Sequence, residues 1–110
     1  MAHQCHAPGC DKEVPPKMFA CRGHWFKLGK KTRDAIWREY RPGQELDKAP
    51  SLRYLAVQRF ACAELAFKPN DEEAARKSAA LMFGAVTYQR EAIRQGLGDP
   101  LRGLDEEPAP

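Results

Sequence analysis

Three cysteines and a histidine near the N-terminus carry the chemistry most clearly. Cys5, Cys10, Cys21 and His24 follow one another as C-x4-C-x10-C-x2-H. Soft thiolates and one imidazole, paired off across a short loop, form the donor set of a tetrahedral zinc ion. With four protein ligands no coordination position stays open, so the implied metal is structural. His3 and His6 are spare donors nearby. Either could stand in for His24, but the spacing favours His24 and leaves the other two solvated. Cys62 lies apart in an apolar run and reads as a small buried hydrophobe.

The elements that must position these ligands are short. Cys5 and Cys10 bracket the turn His6-Ala7-Pro8-Gly9, where Gly9 can take positive φ. Cys21 and His24, three apart, fall on one face of a helix's first turn. A knuckle followed by a helix start predicts a treble-clef-like module. Lys17–Cys21 reads as a short strand leading into the second ligand pair. Trp25, Leu28, Thr32, Ile36 and Tyr40 then recur near one helical face, with Gly29 in the middle. That predicts two helices, about 22–28 and 31–40, stopped by Arg41-Pro42-Gly43. Residues 1–43 form this zinc-binding module, and 44–50 a linker.

The rest of the chain predicts an antiparallel α-helical hairpin over 51–97, so the fold class is mainly α. Ser51 caps a helix over 51–67, and Asn70 with Glu73 suggests a capping box for another over 71–95. Gly96 stops the latter. The first of these helices is apolar almost all round, more than one partner helix can cover. It must therefore also meet the zinc module or another chain. On the second, Ala75, Ala79, Met82, Val86 and Ile93 form one stripe. Ala74, Ser78, Leu81, Ala85 and Tyr88 form the adjoining one. Residues 98–110, polar and proline-containing, read as a disordered tail.

Composition narrows the classes of function. No apolar run is long enough to span a bilayer, and the first residues lack a secretory signal. The expected place is the cytosol, where thiols stay reduced, with no membrane partner. The formal net charge is +3, unevenly spread. Residues 1–59 carry 12 Lys and Arg against 6 Asp and Glu; residues 60–110 carry 6 against 9. The basic excess gathers in 22–41, as Arg22, Lys27, Lys30, Lys31, Arg33, Arg38 and Arg41. Trp25, Phe26, Trp37 and Tyr40 are interleaved with them. Cations meet phosphates and aromatic rings stack on bases, so these seven are candidate nucleic-acid contacts. The same pattern also describes an ordinary solvated helix face. No phosphate loop, nucleophile elbow or paired-carboxylate pattern is present, which argues against an enzyme.

The first 45 residues resemble a group of small zinc-finger-like proteins of largely unassigned function encoded by bacteriophages and prophages. Those show a cysteine pair, then C-R-x-H-W-x-x-L, then L/T-R-x-A-I-W-x-x-Y-R-x-G-Q. The matching residues here are Cys5, Cys10, Cys21, Arg22, His24, Trp25, Leu28, Arg33, Ala35, Ile36, Trp37, Tyr40, Arg41, Gly43 and Gln44. Gly29-Lys30 stand where the group usually has a Leu-Pro helix start. The resemblance implies a phage accessory protein with zinc, acting in the host bacterial cytosol.

Two functions are consistent with these features. The first is binding of nucleic acid, DNA or RNA, through the basic helices 22–41. The second is a protein–protein adaptor, or an inhibitor of a host defence factor, acting through the apolar hairpin. That hairpin could equally make a homodimer.

Overall fold

The computed structural model describes residues 3–15, 18–40 and 50–104, and among these the fold is mainly helical. Two short strands, β1 (His3–Gln4) and β2 (Glu13–Val14), pair antiparallel with His3 opposite Val14 and Gln4 opposite Glu13. Among the described residues four helices follow: α1 (Arg22–Lys27), α2 (Lys30–Glu39), α3 (Leu52–Ala66) and α4 (Glu72–Arg94). Of the strand expected at Lys17–Cys21, the described residues 18–21 are irregular, and Lys17 lies outside the described residues. The strands instead flank the Cys5–Cys10 turn and hold it closed, because the Cys5 N–H also donates to the Lys12 carbonyl at 2.8 Å. Residues 41–49, which hold the expected linker and Arg41, lie outside the described residues.

The helix ends follow local chemistry. Ser51 caps α3 by accepting from the Tyr54 N–H at 3.0 Å. The cap of α4 is one residue later than expected. Asp71 accepts from the Ala74 N–H at 3.0 Å, while Asn70 takes φ +62° to close the preceding turn. Asparagine tolerates that left-handed backbone better than most residues, so it serves the turn and leaves the cap to Asp71. At the other end, Gly96 stands at φ +78°, and the Leu97 N–H reaches back to the Ala92 carbonyl at 2.9 Å. This six-to-one bond is the signature of a Schellman stop.

The apolar surface of α3 is covered from several sides. Tyr54, Ala56, Val57, Phe60, Ala61, Cys62, Ala63 and Ala66 are all buried. α4 covers one side, with Ser78 Oγ donating to the Ala63 carbonyl at 2.7 Å and Gly84 lying beside the Arg59 side chain. α2 and the N-terminal turn cover the others. Thr32 Oγ1 donates to Glu64 Oε1 at 2.8 Å, and the Cys62 thiol donates to the His6 carbonyl at 3.3 Å. One apolar cluster accordingly runs from Cys5, Ala7 and Phe19 through Leu28 and Ile36 to Val57, Phe60 and Ala85.

Part of the segment expected to be a disordered tail is folded. Residues 98–104 turn back onto the helices, with Pro100 and Leu101 buried. Asp99 Oδ1 accepts from the Leu101 N–H and from Gln89 Nε2, both at 2.9 Å. Arg38 donates to the Pro100 carbonyl at 3.0 Å and Arg53 to the Leu97 carbonyl at 2.7 Å. The polar composition of this segment is satisfied by these long-range bonds. Among the described residues, no helix is long and apolar enough to cross a membrane.

Candidate metal centre

Each ligand is placed by a distinct piece of backbone. Gly9 takes φ +81°, and the Cys10 N–H closes onto the Ala7 carbonyl at 3.1 Å. That tight turn folds Cys10 back toward Cys5. The Ala7 N–H points at Cys5 Sγ, 3.5 Å away. Cys21 is the N-terminal cap residue of α1, its carbonyl accepting from the Trp25 N–H at 2.8 Å. His24 follows within the first turn, so both side chains leave the helix on one face.

The four side chains converge. One donor atom each from Cys5, Cys10, Cys21 and His24 lies within 4.8 Å of every other. His24 Nδ1 is 3.6 Å from Cys5 Sγ and 3.2 Å from Cys21 Sγ. A tetrahedral ion with metal–sulfur bonds of about 2.3 Å and metal–nitrogen bonds of about 2.0 Å sets sulfur and nitrogen roughly 3.6 Å apart. The cluster therefore has the size and donor chemistry to hold a metal ion. Cys5 and Cys21 are buried, and Cys10 and His24 are half-buried, which shields the site without sealing it.

Local electrostatics differ from thiol to thiol. A hydrogen bond from the His24 backbone N–H holds the Cys21 thiol below its ordinary range. Burial pushes the Cys5 thiol up, against the opposing effect of backbone N–H groups. A divalent cation would override both, since thiols that coordinate a metal are deprotonated.

The remaining donors stand outside the cluster. His3 Nδ1 donates to the Gln4 carbonyl at 2.8 Å. His6, expected to be solvated, is half-buried, its ring 4.9 Å from that of Phe19 and its Nδ1 3.5 Å from Gln58 Nε2. Burial, with positive charge at His3 and Arg59, pushes its pKa down to about 4. Packing against α3 displaces the water the sequence left around it. Cys62 is buried, its thiol pushed up to about 11 by desolvation. It is inert as a nucleophile there.

The seven basic residues of 22–41 divide. Arg22, Lys27, Lys30 and Lys31 are exposed. Lys30 pairs with Asp34 at 2.7 Å on an open helix face. The guanidinium groups of Arg22 and Arg33 lie 5.9 and 5.5 Å from the centre of the Phe26 ring, which is 60% exposed. Arg38 is committed elsewhere, bonded to Glu39 at 2.7 Å and to the Pro100 carbonyl. Trp37 packs edge-on between Trp25 and Tyr40.

Two positioning residues lay outside the sequence-derived candidates. Glu64 of α3 accepts from the Gly29 N–H at 2.6 Å and from Thr32 Oγ1, tying the start of α2 to a neighbouring helix. Arg53 grips Glu39 with both Nε and Nη2, each at 2.8 Å. The signal for Glu64 was its place as a lone acid within an apolar helix. No family model matches the chain, nor does any curated protein or solved structure.

Proposed function

We propose that this chain is a non-enzymatic zinc-binding protein that binds nucleic acid through α1 and α2. Zinc is the metal that three thiolates and one imidazole at tetrahedral spacing suit best. The Cys5–Cys10 turn and the Cys21–His24 helix start act as the two halves of a treble-clef-like module. α3 and α4 serve as an antiparallel hairpin on which it rests. The resemblance of the first 45 residues to phage and prophage zinc-finger-like proteins supports a phage accessory role.

The observation that carries the binding role is Phe26, exposed and flanked by the guanidinium groups of Arg22 and Arg33. With both guanidinium groups lying over it, the ring forms a cation–aromatic cluster on which a base can stack while phosphates are neutralised. Lys27, Lys30 and Lys31, exposed on the same two helices, extend the positive field. The metal fixes α1, so the ring is held ready. Arg38 is left out because its bonds hold the fold together.

Fluorescence anisotropy of labelled duplex DNA and single-stranded RNA against zinc-loaded protein tests this. Affinity should fall steeply with salt, as counterion release requires. Lys30→Glu with Lys31→Glu should weaken binding at least tenfold without unfolding the protein. Phe26→Ala should weaken single-strand binding by about 1–3 kcal/mol if a base stacks there. Equal binding by wild type and the double variant would refute the assignment of this face.

A further inference from the structure

The outward faces of α1 and α2 carry more than one open aromatic ring. On α2, Thr32, Ala35 and Ile36 are buried against the core. Lys30, Arg33 and Trp37 point away from it, within an arc of about 60° at 3.6 residues per turn. Half-buried Arg33 links the two helices. Its guanidinium lies 5.5 Å from the centre of the Phe26 ring, and Trp37 stands one helical turn further along α2. Arg33 Nε has no hydrogen-bond partner among the described residues. Trp37 is 49% exposed. Its ring plane stands at 74° to that of Trp25 and 82° to that of Tyr40, so neither neighbour lies flat against the indole. Two partly open rings thus flank one guanidinium.

The charges around these rings are mainly positive. Arg22, Lys27, Lys30 and Lys31 are exposed. Asp34 lies on the same face of α2 and pairs with Lys30, but with the two side chains 79% and 64% exposed the pair is weak, and a phosphate can displace it. Glu39 is taken up by Arg38 and Arg53. Glu64, reaching in from α3, is held by the Gly29 N–H and the Thr32 hydroxyl. No other acid occurs between Arg22 and Tyr40.

This chemistry discriminates between forms of nucleic acid. A duplex hides the faces of its bases in its own stack and presents their edges in a groove. Between Arg22 and Tyr40 there is no Asn or Gln, and Thr32 is buried, so base edges meet few readers beyond Arg and Lys. A single strand leaves base faces open to aromatic rings.

We propose that the ligand of this surface is single-stranded nucleic acid, one base stacking at Phe26 and another on Trp37, with Arg33 neutralising the backbone between them. The proposal deepens the nucleic-acid reading above and rests on it. Every base has a face to stack, so recognition is tolerant of sequence.

Fluorescence anisotropy of the zinc-loaded full chain tests it, comparing labelled oligothymidine and oligouridine of about ten nucleotides with a blunt duplex of the same length at equal salt. The single strands should bind at least tenfold more tightly. Phe26→Leu and Trp37→Leu should each weaken single-strand binding at least fivefold and leave its salt slope unchanged, because neither removes a phosphate contact. Arg33→Ala should flatten that slope by about 0.7. Tryptophan fluorescence should be quenched on binding, and the quenching should shrink in Trp37→Leu although Trp25 remains. Circular dichroism checks the fold of each variant. If Trp37→Leu loses its helices, Phe26→Leu and the quenching of the wild-type protein decide. Duplex bound as tightly as the single strands overturns the proposal, while the Lys30→Glu, Lys31→Glu double variant still judges the nucleic-acid reading by itself. Single-strand binding that is indifferent to Phe26→Leu and leaves tryptophan fluorescence unquenched also overturns it. Binding of none of the probes overturns both.

Discussion

Replacing Glu64 tests how the half that holds the Cys/His cluster is fastened to the helices behind it. Gly29 occupies the cap position of α2 and has no side chain to satisfy the helix's first N–H groups. The Glu64 carboxylate ties this helix start to α3 in another way, taking the N–H of the cap residue Gly29 itself on one oxygen and the Thr32 hydroxyl on the other. It also places a negative charge at a positive helix end. Losing the acceptor of the Gly29 N–H costs about 1 kcal/mol. Thr32 is only 3% exposed, so a hydroxyl left without an acceptor there costs about 1–2 kcal/mol more. Glu64→Ala should therefore destabilise by about 3 kcal/mol in total. At about 4 °C per kcal/mol for a chain of this size, the melting temperature should fall about 12 °C.

Glu64→Gln separates charge from geometry. It keeps one acceptor oxygen and should cost about 1 kcal/mol, mostly the lost charge. Urea unfolding of zinc-loaded protein, followed by circular dichroism, reads both values. A double-mutant cycle with Thr32→Val should return a coupling of about 1 kcal/mol between the two side chains. Glu64→Ala within 0.5 kcal/mol of wild type, on the order of ordinary surface substitutions, would refute the latch. So would a coupling of zero.

Two further outcomes follow from the same structure. A strong chelator should abolish the ordered structure of the N-terminal ligand segment while much of the helicity of α3 and α4 survives, because the β1–β2 turn has little core of its own; an unchanged spectrum and melting curve would exclude a structural metal, and Cys21→Ser should reproduce the loss. Glu39 is held below the usual carboxylate range, first by its hydrogen bonds to Arg53, with Arg38 adding to them. Because its native pKa is lowered, its contribution is fully present above about pH 4.3, the ordinary glutamate value, and disappears as pH falls through the lower native value. The stability gap between wild type and Glu39→Gln should be widest near neutrality and close in acid, and a gap that is constant with pH would refute the pairing.

Where the sequence was legible, the determining interactions were local. Cys21 and His24 converge because they are one helical turn apart, and Cys5 and Cys10 because Gly9 lets the chain reverse. The ends of α3 and α4 were readable for the same reason, to within the one residue by which Asn70 and Asp71 exchange roles. What could not be read depends on partners distant in the chain. Residues 98–104 have the composition of a loose tail, yet Arg38, Arg53 and Gln89, at positions up to 62 residues away, supply the bonds that bury Pro100.

The choice between the two stripes of α4 was equally hidden, because alanines dominate both near its start and give no contrast in size. Contacts across the α3–α4 interface decide it, with Ser78 reaching Ala63 and Gly84 admitting Arg59. The apolar excess of α3, which alone suggests an interface, is absorbed by α2, α4 and the turn that holds Cys5 and Cys10. If a metal holds that turn in place, its removal should uncover the side of α3 that the turn packs against, while the α3–α4 contacts stay.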